Sequence, residues 1–170
     1  MRRICRLSVA LVLGGLLHLA PPLHAQDAGP ARITLVAEDG TERTLGLAEL
    51  RTLPAQQVAA VMPDSQRIIF RGPAIRALLT LAGAPEGHDL RGPAMHLIVI
   101  AEAADGYKVV YSLAELDPEY GHRAAIVALT EDGHPLSSSD GPFRIVLAGD
   151  QHLSRWIRQL TTLRIVRAIP

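Results

Sequence analysis

Arg155, Trp156 and Arg158 stand close together near the end of the chain, with Arg144 a little upstream. Each guanidinium is a planar fork that donates paired hydrogen bonds to a phosphate or carboxylate. Three of them around one turn therefore make a cradle for an anionic group. Arg144, Arg155 and Arg158 are the candidate ligand- or cofactor-binding residues, and Trp156 and Tyr107 suit a core or pocket wall. A plainer reading stands beside this one, in which Arg144 pairs with the carboxylate of a neighbour such as Asp140.

Other chemistry-bearing residues form no recognisable set. His88, His96, His122, His134 and His152 show neither His-x-His nor His-Glu-x-x-His spacing, so no metal site is signalled. Ser137, Ser138 and Ser139 with His134 or His152 would be needed for a hydrolase, yet the chain has no Gly-x-Ser-x-Gly elbow. Asp64 and Ser65 offer oxygen ligands in a loop, where an ordinary surface turn is the plainer account.

Around the arginines, Asp140-Gly141-Pro142 is a turn signal, Phe143 to Ala148 reads as a strand, and Thr161 to Arg167 as another. The loop between them carries Arg155, Trp156 and Arg158. Earlier, Arg32 to Ala37 and Thr41 to Leu45 form a hairpin, and Leu47 to Leu53 is a helix stopped by Pro54. Ala55 to Gln66 has little periodicity, its Met62-Pro63-Asp64-Ser65 reads as a loop, and Arg67 to Phe70 is a strand. Pro73 opens a helix with Ile75, Leu78, Leu79 and Ala82 on its core face, ended by Gly83. Met95 to Ala101 is a strand apolar enough to be buried on both faces, and Tyr107 to Tyr111 is the next. Ser112 and Glu115 form a capping box for a short helix that Pro118 ends. Ala124 to Thr130 is a strand, and His134 to Ser139 a loop. About eight strands and three short helices give an α+β fold with a mixed sheet or a small barrel.

The first 25 residues read as a secretory signal: Arg2, Arg3 and Arg6, an apolar run from Leu7 to Ala20, then Pro21-Pro22 and a small residue at Ala25. The run is shorter than the roughly 20 residues a membrane helix needs, so no membrane span is expected after cleavage. Residues 26–31 read as a disordered tail and 32–168 as one domain. Export with a single cysteine, Cys5, inside the signal leaves a mature chain without disulfides or thiolate ligands, and points to the bacterial periplasm. The chain has 17 basic and 17 acidic residues, and losing three signal arginines tips the balance to acidic. With no basic run, nucleic-acid binding is not expected.

The order of motifs resembles the oxidoreductase molybdopterin-binding domain, the fold of the sulfite oxidase family. Its carriers are Arg71-Gly72-Pro73-Ala74-Ile75-Arg76-Ala77-Leu78-Leu79 with Ala82-Gly83-Ala84, and Asp105-Gly106-Tyr107 with Ser112-Leu113-Ala114-Glu115. Further on come Ala128 to Leu136, Gly141-Pro142-Phe143-Arg144-Ile145-Val146, and Arg155 to Leu160, so the likeness runs from about Ile33 to Val166. The resemblance implies a molybdenum–pterin cofactor, with Arg144, Arg155 and Arg158 near its phosphate. One part of the pattern is missing. The family binds molybdenum through a cysteine thiolate, and the corresponding stretch, Pro54 to Gln66, has no cysteine. Two expectations follow: an exported protein that binds molybdopterin or another anion without sulfite-oxidase-type turnover, or a cofactor-free module that docks a periplasmic redox or sensor protein.

Overall fold

The computed structural model describes residues 31–150 and 152–169. The signal segment and the tail expected at 26–31 lie outside them, except Ala31. The hairpin forms as expected: β1 (Arg32–Val36) runs antiparallel to β2 (Glu42–Gly46), with Arg32 opposite Gly46 and Val36 opposite Glu42. Ile33, Leu35 and Leu45 turn into the core. The helix α1 (Leu47–Thr52) follows at once and inserts Leu50, while Glu49 accepts the Gly46 amide N–H at 2.8 Å.

Within Ala55 to Gln66 the expected loop at Met62 to Ser65 forms, but the stretch before it is a strand that its weak periodicity did not announce. That strand is β3 (Ala55–Val61), antiparallel to β4 (Arg67–Pro73) from Ala55–Pro73 to Val61–Arg67, with the turn at residues 62–66. β3 is an edge strand on which only Val58 is fully buried. Its Gln56 and Gln57 face solvent, so the alternation that announces a strand is absent. β4 runs past Phe70 because it crosses β7 (Ala125–Ala128). There Gly72 comes so close that a Cβ atom would sit 1.9 Å from the Val127 carbonyl oxygen. Pro73 therefore closes a strand, and α2 (Ile75–Leu81) begins after it, burying Ile75, Leu78 and Leu79 and ending before Gly83 at φ +79°.

The largest sheet has five strands in the order β2, β1, β11 (Leu160–Arg167), β5 (Leu97–Ala103) and β6 (Lys108–Ser112). β1 and β11 are parallel and the other pairs antiparallel, so the sheet is mixed. β5 starts two residues later than expected, because Gly92–His96 forms a 3₁₀ turn. It buries Leu97, Val99, Ala101 and Ala103 on one face, and the opposite face is only half covered. The capping box forms, with Ser112 N–H to Glu115 at 3.1 Å and Glu115 N–H to Ser112 Oγ at 3.0 Å, but it starts a single 3₁₀ turn, Ala114–Leu116. Pro118 then opens α3 (Pro118–Gly121) instead of ending a helix, as its fixed φ favours in a first turn.

The expected strand at 124–130 splits. β7 pairs with β10 (Arg144–Leu147), whereas β8 (Thr130–Glu131) joins β4 and then β9 (His134–Pro135), which had read as loop. The split follows from Leu129, whose N–H turns to the Arg71 carbonyl at 2.9 Å. Three sheets result, of five, two and four strands. None is closed into a barrel, which removes the barrel alternative and leaves the mixed α+β form. A barrel needs one continuous ladder, and the β7–β10 pair stands outside both larger sheets. Among the described residues no helix is long and apolar enough to cross a membrane.

Gly72→Ala should lower unfolding free energy by about 3 kcal/mol or more, since backbone cannot yield to the new methyl as a side chain would. Denaturant titration of both proteins checks this. An unchanged midpoint would mean that the β4–β7 crossing is not as close as described.

Candidate functional site

Hydrogen bonds between two backbone segments place the arginines. Residues 157–160 run beside residues 140–145: Ile145 N–H donates to Ile157 O at 2.9 Å, Leu160 N–H to Phe143 O at 2.9 Å, and Gln159 N–H to Asp140 O at 3.0 Å. Gln159 takes a left-handed φ of 48° there, and its side-chain amide donates to Ser138 O at 3.1 Å. Arg158 is thereby set against Asp140. The 3₁₀ turn Leu153–Arg155 is tied down from β6 and its approach, by Tyr107 Oη donating to Ser154 O at 2.8 Å and Tyr111 Oη donating to Arg155 O.

These ties bring two of the three candidate arginines together. Arg144 and Arg158 line a cleft of ≈ 560 Å³ with Asp140, Trp156, Tyr107 and Asp105. Arg144 is buried, with its side chain 6% exposed. Its Nη1 donates to Asp140 Oδ2 at 2.6 Å, and its guanidinium lies 5.5 Å from the Phe70 ring centre and 5.6 Å from that of Trp156. Those two rings meet edge to face. Burial pulls the Arg144 pKa below the usual arginine value, Asp140 pushes it back up, and Arg158 adds to the lowering. The plainer reading of Arg144, a pair with Asp140, is the observed geometry.

Arg155 points elsewhere. Its Nη2 donates to Glu115 at 2.9 Å, its Nε lies 3.8 Å from Asp150, and its guanidinium covers the Tyr111 ring at 5.1 Å. Partial burial lowers its pKa, but Glu115 and Asp150 more than reverse that, so the net direction is up. Burial pushes the Tyr111 hydroxyl up as well. Arg155 thus braces the 3₁₀ turns from outside the cleft, and no three-arginine cradle forms. Arg158 is different. Its side chain is 61% exposed, and its one ion-pair contact among the described residues is a loose 3.7 Å to Asp140, already engaged by Arg144.

Trp156 and Tyr107 are pocket-wall residues, as their types suggested. Asp105, Met62 and Ser154 also line the cleft and were not foreseen. Their only sequence signals were a turn and a loop, which give no direction for a side chain. Asp64 and Ser65 lie in the β3–β4 turn beyond Met62. Asp64 Oδ1 accepts the Gln66 N–H and Ser65 N–H donates to Met62 O, which is the ordinary surface turn. Ser137 Oγ lies 3.0 Å from Ser139 Oγ, a hydroxyl pair in place of a serine–histidine contact. Among the described residues no group of three His, Cys, Asp or Glu could hold a metal ion.

No protein-family model matches the chain, and no curated protein is similar to it. Solved structures do match. The crystal structure of the sulfane dehydrogenase SoxCD from Paracoccus pantotrophus is similar at a TM-score of 0.58 and 15% identity, over 80% of this chain. This chain spans 38% of that one. At that identity the likeness shows the fold alone, an α+β domain similar to part of SoxCD.

Asp140→Asn should destabilise the protein by roughly 3 kcal/mol, because it leaves the buried Arg144 charge without its partner. The double variant Asp140→Asn with Arg144→Met should recover most of that loss. Chemical denaturation of the single and double variants reads this directly. Additive losses would show that the pair is not coupled.

Proposed function

We propose that this protein is an exported binding domain that holds a small anionic ligand in the Tyr107–Trp156–Arg158 cleft without sulfite-oxidase-type turnover. The carrying observation is Arg158. It is an exposed guanidinium with spare hydrogen-bonding capacity at the rim of an aromatic-walled cleft. Arg144 contributes positive potential and rigidity from behind, not a free fork. Export rests on the N-terminal segment, and periplasmic residence on the absence of any cysteine after Cys5.

Molybdopterin is the ligand that the fold suggests, and the residues fit it at one end only. Its phosphate suits Arg158. When bound, molybdopterin supplies redox chemistry through its metal, and among the described residues there is no cysteine whose thiolate could hold one. The neighbouring carboxylates are committed: Asp140 to Arg144, and Asp105 Oδ1 to the Tyr107 N–H at 2.9 Å. The expected occupant is therefore a pterin phosphate or a similar anion.

A second reading is a cofactor-free module that docks a periplasmic redox or sensor protein. The edge strand β3, Ala-Gln-Gln-Val-Ala-Ala-Val, favours it. It has no charge, proline or bulge to guard its open backbone, and Val61 beside the cleft is 70% exposed.

Pterin and metal analysis of protein purified from the periplasm of a molybdenum-replete host should find pterin without stoichiometric molybdenum. Neither one would move the weight to the docking module. Trp156 is the sole tryptophan, so ligand titration is readable by its fluorescence. Arg158→Ala should weaken binding of the recovered anion about tenfold and flatten its salt dependence. Unchanged affinity and salt response would overturn the cleft assignment.

A further inference from the structure

A different pocket has the more favourable charge for an anion. It holds ≈ 380 Å³ between the start of β3, the start of α2 and the chain leaving α3. Its polar lining is Gln56, Arg76, His122 and Arg123, with no carboxylate among its lining residues. The Arg158 cleft, by contrast, sets Asp105 and Asp140 against its two arginines.

Arg76 is the unusual member. Its side chain is 9% exposed, yet only Nη2 makes a hydrogen bond, to Ala84 O at 2.9 Å. Nε and Nη1 are buried without a hydrogen-bond partner. The nearest carboxylates stand back, Glu86 at 3.5 Å from Nε and Asp117 at 3.8 Å from Nη1. Asp117 cannot close in freely, since its two oxygens already accept the Gly87 and Glu119 N–H groups at 3.0 and 2.9 Å. A buried donor left unmet is destabilising, and such donors mark places where an acceptor belongs. Arg76 forms a wall shared with a smaller pocket, but that one contains Glu86, Asp117 and Glu119, which repel an anion.

Local backbone geometry constrains the segment that carries His122 and Arg123. A Cβ on Gly121 would lie 2.1 Å from the Glu115 carbonyl oxygen, and His122 follows in the left-handed region at φ 51°. Arg123 is exposed, and its one ion-pair contact among the described residues is a loose 3.8 Å to Asp150.

We propose that this pocket is a second anion site, selective for a small tetrahedral oxyanion such as free phosphate, sulfate, or the phosphate end of a metabolite. Arg123 and His122 meet the anion at the mouth, Gln56 supplies an amide donor, and Arg76 supplies positive charge from the wall. It does not depend on the Arg158 cleft.

Amide NMR of the full-length mature protein, titrated separately with inorganic phosphate and with sulfate, tests it. Saturable shifts at residues 121–125 and Gln56 are expected, and chloride at equal ionic strength should give none. Arg123→Gln, an exposed substitution that leaves the core alone, should weaken the phosphate response about tenfold. Arg76→Met should do the same where it folds, and Arg158→Ala should leave this response unchanged. Overturning results are no saturable shift at these amides, a shift that chloride reproduces, or one that survives Arg123→Gln. Loss on Arg158→Ala would likewise overturn the second site and assign the binding to the cleft. A phosphate response without a sulfate response would point to a phosphorylated ligand.

Discussion

A single buried charge connects the parts of this domain. The Arg144 guanidinium lies inside the protein, held by Asp140 at 2.6 Å and flanked by the Phe70 and Trp156 rings. Phe70 belongs to the four-stranded sheet, Arg144 to the two-stranded one, and Trp156 to the segment leading into the last strand of the five-stranded one. An unpaired charge in that position would cost several kcal/mol, so the turn bearing Asp140 must dock wherever Arg144 is buried. Desolvated cation–π contacts of this kind contribute up to about 2 kcal/mol each. The same pairing leaves Arg158 with only a weak share of Asp140. The arginine that stabilises the fold and the one free to meet a ligand are thus set apart by one carboxylate.

The frame around that charge depends on long-range pairing. β11, the final strand, fills the centre of the large sheet between β1 and β5, so the sheet is complete only when the two ends of the domain meet. Packing of the smaller sheets relies on Gly72, where backbone rests on backbone. The β3–β4 hairpin is the least buried of the larger elements, and its turn contributes Met62 to the cleft wall. Local opening concentrates where buried apolar contacts are few, so this wall is the part of the cleft best able to move.

Charge placement governs what the pockets can bind. In the larger cleft two guanidiniums face two carboxylates, beside aromatic walls and with one arginine loosely held. In the pocket beside Arg76 and Arg123 the carboxylates stand behind or outside the lining, which suits a compact anion. A likeness of fold to a much longer dehydrogenase carries no chemistry across by itself, since function resides in sites placed on a fold.

The sequence by itself determined the α+β class, the β1–β2 hairpin, the α2 helix with its glycine stop, the Ser112–Glu115 capping box and the Asp140 turn. Each depends on residues near one another in the chain, whose periodicity and turn chemistry act locally. It also determined that no thiolate but that of Cys5 exists in the chain. β3 was not legible because a solvated edge strand carries no alternation; Pro73 misled because proline suits a strand end as well as a first helical turn, and Pro118 because proline both stops one helix and opens the next. Only the tertiary structure decided which way the arginines point. Arg144 turned inward to Asp140, Arg155 outward to Glu115, and Arg158 to the rim. An arginine side chain reaches in any direction that offers a carboxylate, and where the carboxylates lie is settled by contacts far apart in sequence, such as Arg155 with Glu115.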